Sequence, residues 1–414
     1  MDVSVRRMES TSTKACVSAG RMEFYALAAL ALQCLVLTIW SVRYYVLRES
    51  SAPMVGIDFA VFWSAARVAL EHGAASVFSA SWMQPIEATV RSAAGFSPWP
   101  YPPTFLLAVL PFGLLPFGWA FALFTMLCVG AYGAVIARLS RGIERSTVVA
   151  MAAFPGAALA IYAGQNSLLT AAAAGGALVL LESRSKLESE SNPLFAGACI
   201  AILAIKPQFG VLFPLALICG RQWKALIASA AFSIAFAAVS VAALGFEAWV
   251  AFIWYLPEFG RLALQHGNGL WHGMPTVFAA ARLAGLSIHA SYAVHAAVAI
   301  PAVVFSAYLW IKEARFELRA AALTIATMLV QPYMMSYDLA WLALPIAFLI
   351  RDAKARELSR AEWATFGIAW LMPAQAFFAG VFQLPCQLAP AALVALLAMT
   401  ARRQFGLAKS RTGR

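Results

Sequence analysis

"LFAGACIAILAIKPQFGVLFPLALICG", residues 194–220, is one apolar run with Lys206, Pro207 and Gln208 at its centre. A proline inside a helix removes a backbone hydrogen bond and clashes with the preceding turn, so the run breaks there. Its two halves either continue across a bilayer or enter and return. The arginines and lysines decide. They recur in groups: Arg138, Arg141 and Arg145; Arg184 and Lys186; Arg221 and Lys224; Lys312, Arg315 and Arg319; Arg351, Lys354, Arg356 and Arg360; Arg402 and Arg403. Basic residues of a polytopic protein collect on its cytoplasmic loops. All these groups share one side only if 194–220 enters and returns. The same solution requires that "YPPTFLLAVLPFGLLP", residues 101–116, does not cross, and that run is short and broken by prolines at both ends.

The composition agrees with a membrane interior as solvent. The chain has 414 residues, 62% hydrophobic and only 12% charged, with a mean hydropathy of +0.76. A soluble protein needs roughly a quarter charged residues, so that class is excluded. The expected fold is an all-α polytopic helical membrane protein of about 11–13 transmembrane helices with amphipathic helices in its outer loops. Spans are expected near 24–47, 117–138, 147–163, 167–182, 225–245, 292–311, 320–334, 337–350, 363–381 and 387–401, around the broken run 194–220. Residues 1–23 read as a cytoplasmic tail before an uncleaved first span, because this stretch is too polar for a signal peptide. A single membrane domain then fills 24–401, with outer loops 48–116 and 246–290, and 402–414 forms a basic cytoplasmic tail. This places the protein in the inner (plasma) membrane with both termini cytoplasmic. The net charge of +11 therefore requires no nucleic acid. The six cysteines form no C-x-x-C pair and read as idle apolar thiols.

Ionisable groups are costly in a bilayer, so the few near it are candidates for function. Apart from Lys206, they gather on the outer side. "GIDFAVFWSAARVALEHG", residues 56–73, sets Asp58 against Phe59, Phe62, Trp63, Val68 and Leu70. Asp58 either caps the amphipathic helix that follows or serves as a general base held where its surroundings tune its pKa. Lys206 either snorkels or meets a phosphate beside the backbone N–H groups freed by the broken helix. His266 and His272, in "QHGNGLWHGMP", have no acid or thiol at ligand spacing, which favours contact with a polar ligand over metal. Tyr337 and Asp338 fit a turn between two spans. The aromatics Phe59, Phe62, Trp63, Phe78, Trp82, Trp99 and Tyr101 read as an interfacial belt.

In order along the chain stand an Asp after the first span, "YPP" leading into a half-helix, "GQN" at 164–166, and "AIKPQFGVLFPLAL" followed by "RQWKAL". This order resembles glycosyltransferase family 87, over about residues 56–350. The resemblance implies a GT-C-type membrane enzyme that uses polyprenyl-phosphate sugars, as polyprenol-phosphate-mannose-dependent α-mannosyltransferases do. It implies Asp58 as catalytic base, Lys206 near the donor phosphate with Arg261 assisting, and Gln165 in the G-Q turn. Asn166, Asn268, His272, Tyr337, Asp338 and Tyr101 become candidate substrate contacts. Mannosyltransferase members tend to carry a His in the late outer turn, where this chain has Tyr337 and Asp338. The implied partners are a polyprenyl-phosphate sugar donor, a lipid or glycan acceptor and membrane lipids. No cofactor or metal is expected. The alternative class is a secondary transporter or lipid flippase, which usually carries paired midplane charges and repeat-related halves.

Overall fold

A chain in lipid must satisfy every backbone N–H and C=O internally, and helices do so within one segment. The computed structural model describes residues 19–49, 51–91, 95–182, 192–267 and 269–411, and among these there are only helices and connecting segments, with no strand. Six of its helices are long and apolar enough to cross a membrane: Gly20–Val46, Phe117–Leu139, Arg145–Ala163, Trp223–Leu244, Ile288–Ile311 and Arg360–Val381. The protein is an all-α polytopic membrane protein.

In chain order, α1 (Ala19–Ser41) is followed by α2 (Ile57–His72) and α3 (Ala80–Ala88), then by α4 (Pro103–Val109) and α5 (Phe117–Leu139). The membrane span Arg145–Ala163 is one crossing interrupted at Pro155, which cannot donate to the preceding turn, and so consists of α6 (Arg145–Ala152) and α7 (Pro155–Ala163). Then come α8 (Ser167–Glu182), α9 (Asn192–Ile202), α10 (Leu212–Cys219) and α11 (Trp223–Leu244). The second outer segment, read as mixed loop, contains α12 (Phe246–Gly260) and α13 (Val277–Leu283). The remaining helices are α14 (Ile288–Ile311), α15 (Phe316–Leu329), α16 (Ala343–Asp352), α17 (Arg360–Val381) and α18 (Ala389–Arg411). The span expected at 320–334 stops at Leu329, and a tight helical turn at Ser336–Leu342 precedes α16.

The 194–220 run is a hairpin. Lys206, ahead of Pro207, leaves the helical region at φ −145°, as a pre-proline residue does. Gly197 of α9 abuts Ala228 and Ser229 near the start of α11, while Gly220, after α10, lies on the ring of Trp310 at the end of α14. Both limbs therefore begin and end beside the same side of the bundle. That side carries the basic groups: Arg145 pairs with Glu23, Arg351 with Glu182, and Arg315 and Arg403 with Asp352. The Lys354 ammonium lies against Gly142. The opposite end gathers α2, α4, the Lys206 break, the turn after α15 and the 269–273 segment.

The aromatics of residues 59–101 form no interfacial belt. Phe59, Phe62 and Trp99 are each at most 1% exposed, and Phe62 packs edge-on against Trp99, Tyr101 and Phe105. The reason is that α4, entered through Pro103 at its first position, folds back over α2 and shields Phe62 and Trp99, while Phe112 and the α5 rings Phe117, Phe121 and Phe124 enclose Phe59. Trp82, at 46% exposure, is the member of the set that fits the expectation.

Candidate active site

Two close approaches build the site. Gly164 ends α7 in the left-handed conformation at φ +70°, and a Cβ there would lie 2.6 Å from the Phe59 Cβ. Gly56, at φ +88°, precedes α2 and donates its N–H to the Tyr162 carbonyl at 2.6 Å. Two glycines thus let the end of α7 press against the start of α2, which a side chain would prevent. Gln165, next after Gly164, and Asp58, two residues after Gly56, meet as a result.

Gln165 Nε2 donates to Asp58 Oδ2 at 2.8 Å and to the Tyr337 hydroxyl at 3.1 Å. Its Oε1 accepts from the Tyr101 hydroxyl at 3.2 Å and from the Asn166 N–H at 3.3 Å. The amide is therefore fixed in orientation. Asp58 is not the helix cap: Gly56 holds that position with no side-chain bond, and Asp58 sits in the first turn with its carboxylate turned to Gln165. Negative charge is favoured near a helix N-terminus, so the position still suits an ionised acid. Burial nevertheless pushes the Asp58 pKa above its ordinary value, and the Gln165 bond, Arg91, Lys206 and Tyr337 pull it back. Among the described residues no cation is paired with Asp58.

Asp58 and Gln165 lie on the wall of a cavity of about 440 Å³. Tyr101, Tyr162, Tyr333, Tyr337, Ser97 and Ser336 add polar atoms to that wall. Leu159 of α7 and Ala376, Phe377 and Val381 of α17 give it an apolar flank, and Val381 is 55% exposed on the bundle surface. Behind the Ser97 side, Arg91 donates to Glu87 at 3.0 Å in a buried pair, and Glu87 also accepts the Ser97 N–H at 3.1 Å. This fixes the approach to Tyr101.

Lys206 stands behind the wall, not on it. Its ammonium is 2.5 Å from Asp338 Oδ1, which also accepts from Ser167 Oγ at 2.5 Å. Asp338 Oδ2 accepts the Met335 N–H at 3.2 Å. Lys206 also faces the rings of Phe209 and Tyr337. Asn166 is fully buried beside Gln165 and off the cavity. Arg261 is exposed and His272 binds the Leu384 carbonyl at 2.9 Å; neither lines the cavity, although Gly269, Leu270 and Gly273 do. Asn268 lies outside the described residues. Sequence reasoning missed Tyr162 and the cavity role of Tyr333. Their signal was proximity: Tyr162 stands two residues before Gly164, and Tyr333 opens the turn that carries Tyr337.

The family model of glycosyltransferase family 87 matches residues 99–332, more than half of the chain. The chain belongs to glycosyltransferase family 87. The match includes Tyr101, Gln165, Asn166 and Lys206, whereas Asp58, Tyr337 and Asp338 lie beyond its ends. No curated protein and no solved structure matches the chain. Family membership and the apolar helices together make this a membrane glycosyltransferase, with a sugar donor and an acceptor as its substrates.

Proposed function

We propose that this glycosyltransferase moves a mannose-like hexosyl group from a polyprenyl-phosphate donor to a lipid or glycan acceptor, by inversion, with Asp58 as general base. The observation that carries this reading is a partly exposed carboxylate, with no paired cation, oriented by one amide at the edge of a cavity. A base must be free to take a proton and must face its substrate, and a carboxylate without a cation on a cavity wall suits that role. The acceptor hydroxyl gives its proton to Asp58 as its oxygen bonds to the anomeric carbon. On the opposite face the bond from that carbon to the phosphate oxygen breaks, and polyprenyl phosphate leaves with the electron pair.

The cavity pairs polar atoms with an apolar flank that reaches the bundle surface at Val381. A ligand with a sugar, a phosphate and a hydrocarbon tail matches that division. No Lys, Arg or His is among the lining residues, so the hydroxyls of Tyr101, Tyr333, Tyr337 and Ser336 would bond to the sugar and phosphate oxygens. Lys206 adds positive charge from behind Tyr337. The outer face of the inner membrane is the proposed location, because the basic groups lie at the end opposite the cavity and basic loops face the cytoplasm.

The test is donor choice by purified protein in lipid. Polyprenyl-phosphate mannose, glucose and galactose are each offered beside the corresponding nucleotide sugars, with a membrane lipid extract as acceptor. The proposal expects transfer or hydrolysis from a lipid-phosphate sugar and none from nucleotide sugars. Turnover of a nucleotide sugar alone would overturn it.

A further inference from the structure

Lys206 is buried, 4% exposed, and its partner Asp338 is 2% exposed. The Lys206 ammonium touches that carboxylate at 2.5 Å, faces the rings of Phe209 and Tyr337 and does not line the cavity, so a phosphate held in the cavity does not reach it. The carboxylate, for its part, is held by Lys206, Ser167 and the Met335 N–H. These three donors come from the hairpin break, the start of α8 and the turn after α15. Tyr337 is the neighbour of Asp338 in the chain, and it shares the Gln165 amide with Asp58. The neighbouring contacts fix the same turn: Gln331 Nε2 donates to the Gln208 carbonyl at 2.7 Å, Trp341 Nε1 to Thr170 at 3.0 Å and Tyr132 to the Ala340 carbonyl at 3.3 Å. The α4 helix braces the break from the other side, through Thr104 Oγ1 to the Ala204 carbonyl at 2.7 Å.

We infer that Lys206 and Asp338 form a positioning pair, which locks the 333–338 turn so that Tyr337 and Gln165 aim the Asp58 carboxylate, and that Lys206 does not bind the donor phosphate directly. The inference rests on the reading of Asp58 as the base. It assigns a purpose to Asp338, which stands behind the cavity wall beside Tyr337. The charges also act on Asp58 through space. The groups around it are Glu87 of α3 and Arg91 just after it, Tyr101, Tyr162, Tyr333 and Tyr337, with Lys206 and Asp338 behind. Removing the Lys206 charge disfavours the Asp58 carboxylate, so the acid limb of the rate profile moves to higher pH. Removing the Asp338 charge leaves Lys206 uncompensated and moves that limb to lower pH. A merely structural loss moves neither.

The experiment is a double-mutant cycle in lipid on Lys206→Met, Asp338→Asn and the pair, with Lys206→Arg beside them, reading melting temperature, kcat, donor KM and the acid limb. The expected result is a kcat loss of about 100-fold for Lys206→Met and about tenfold for Asp338→Asn, each with donor KM within about threefold of wild type. The double variant recovers about tenfold over Lys206→Met, because it no longer buries an unpaired carboxylate. Its melting temperature also exceeds that of Lys206→Met. A steep rise in donor KM for Lys206→Met, with Asp338→Asn unimpaired and the double variant no better than Lys206→Met, would establish a phosphate ligand and overturn the inference. Should Lys206→Met not fold, Lys206→Arg decides: a lower kcat at unchanged donor KM supports the pair, and a raised KM with unchanged kcat refutes it. The melting-temperature coupling needs no turnover. Coupling in a wild-type protein that transfers no sugar would sink the proposed function while leaving the ion-pair lock in place, and transfer without coupling would sink the lock alone.

Discussion

At the basic end, Arg403 is fully buried and donates to Asp352 Oδ2 at 2.6 Å, to Glu362 at 2.9 Å and to the carbonyls of Asp352 and Arg356, while Arg315 joins Asp352 at 3.1 Å. At the cavity end, Lys206 and Asp338 make a pair of the same kind, but Asp58 beside it is held by the Gln165 amide and the Tyr337 hydroxyl, with no paired cation among the described residues. The residue types are similar, and the difference lies in what is left over. In the first cluster each carboxylate has a guanidinium and joins α15, α16, α17 and α18. In the second, one carboxylate is kept without a cation at the edge of a cavity. A buried pair holds helices in place; an acid spared from pairing beside open space can take a proton.

That contrast can be broken at several points. Gly164→Val has the largest expected effect, because it strains a positive φ and drives a side chain into Phe59; transfer should fall to background and the melting temperature should drop. Arg403→Leu separates the two ends. Leaving Asp352 and Glu362 without their guanidinium should cost about 3–5 kcal/mol of stability, measured by unfolding in detergent, while kcat of the folded fraction stays at the wild-type value. Gln165→Leu removes a bond to a charged group and leaves the buried Tyr101 and Tyr337 hydroxyls short of a partner, so kcat should fall about 10- to 100-fold and the melting temperature should drop, though less than for Arg403→Leu. Arg261→Gln, exposed and off the cavity, should change kcat/KM by less than about twofold.

A pH profile sharpens the same comparison. Asp58 must be ionised to accept a proton, so activity is lost as pH falls through its folded pKa. Burial raises that pKa above the ordinary 3.8, so the fall should occur at a higher pH than a solvated aspartate would give. Activity that persisted unchanged well below that value would place the base elsewhere.

The overall map was legible because it rests on composition and charge, which a bilayer constrains severely. Six of the expected spans are long apolar helices, and the hairpin at Lys206 follows from one proline and the position of the basic groups. The half-helix after Tyr101 was legible from its flanking prolines. What was not legible depended on contacts between distant segments. Nothing within residues 56–73 says that α4 will fold over Phe62 and that α5 will enclose Phe59, so the rings read as a belt rather than a core. Lys206 was singled out correctly as unusual, yet its partner lies 132 positions away, and spacing alone cannot pair them. Arg261 and His272 were named for their chemistry, but Arg261 is exposed just after α12 and His272 turns to the Leu384 carbonyl, so neither reaches the cavity wall.

The most direct measurement is transfer from the active polyprenyl-phosphate sugar by wild type and Asp58→Asn, both folded and monodisperse in lipid. The account predicts that Asp58→Asn loses at least about 10³-fold in kcat while its melting temperature stays at or above that of wild type. Full activity in Asp58→Asn would contradict the central claim and return Asp58 to a role in packing the start of α2.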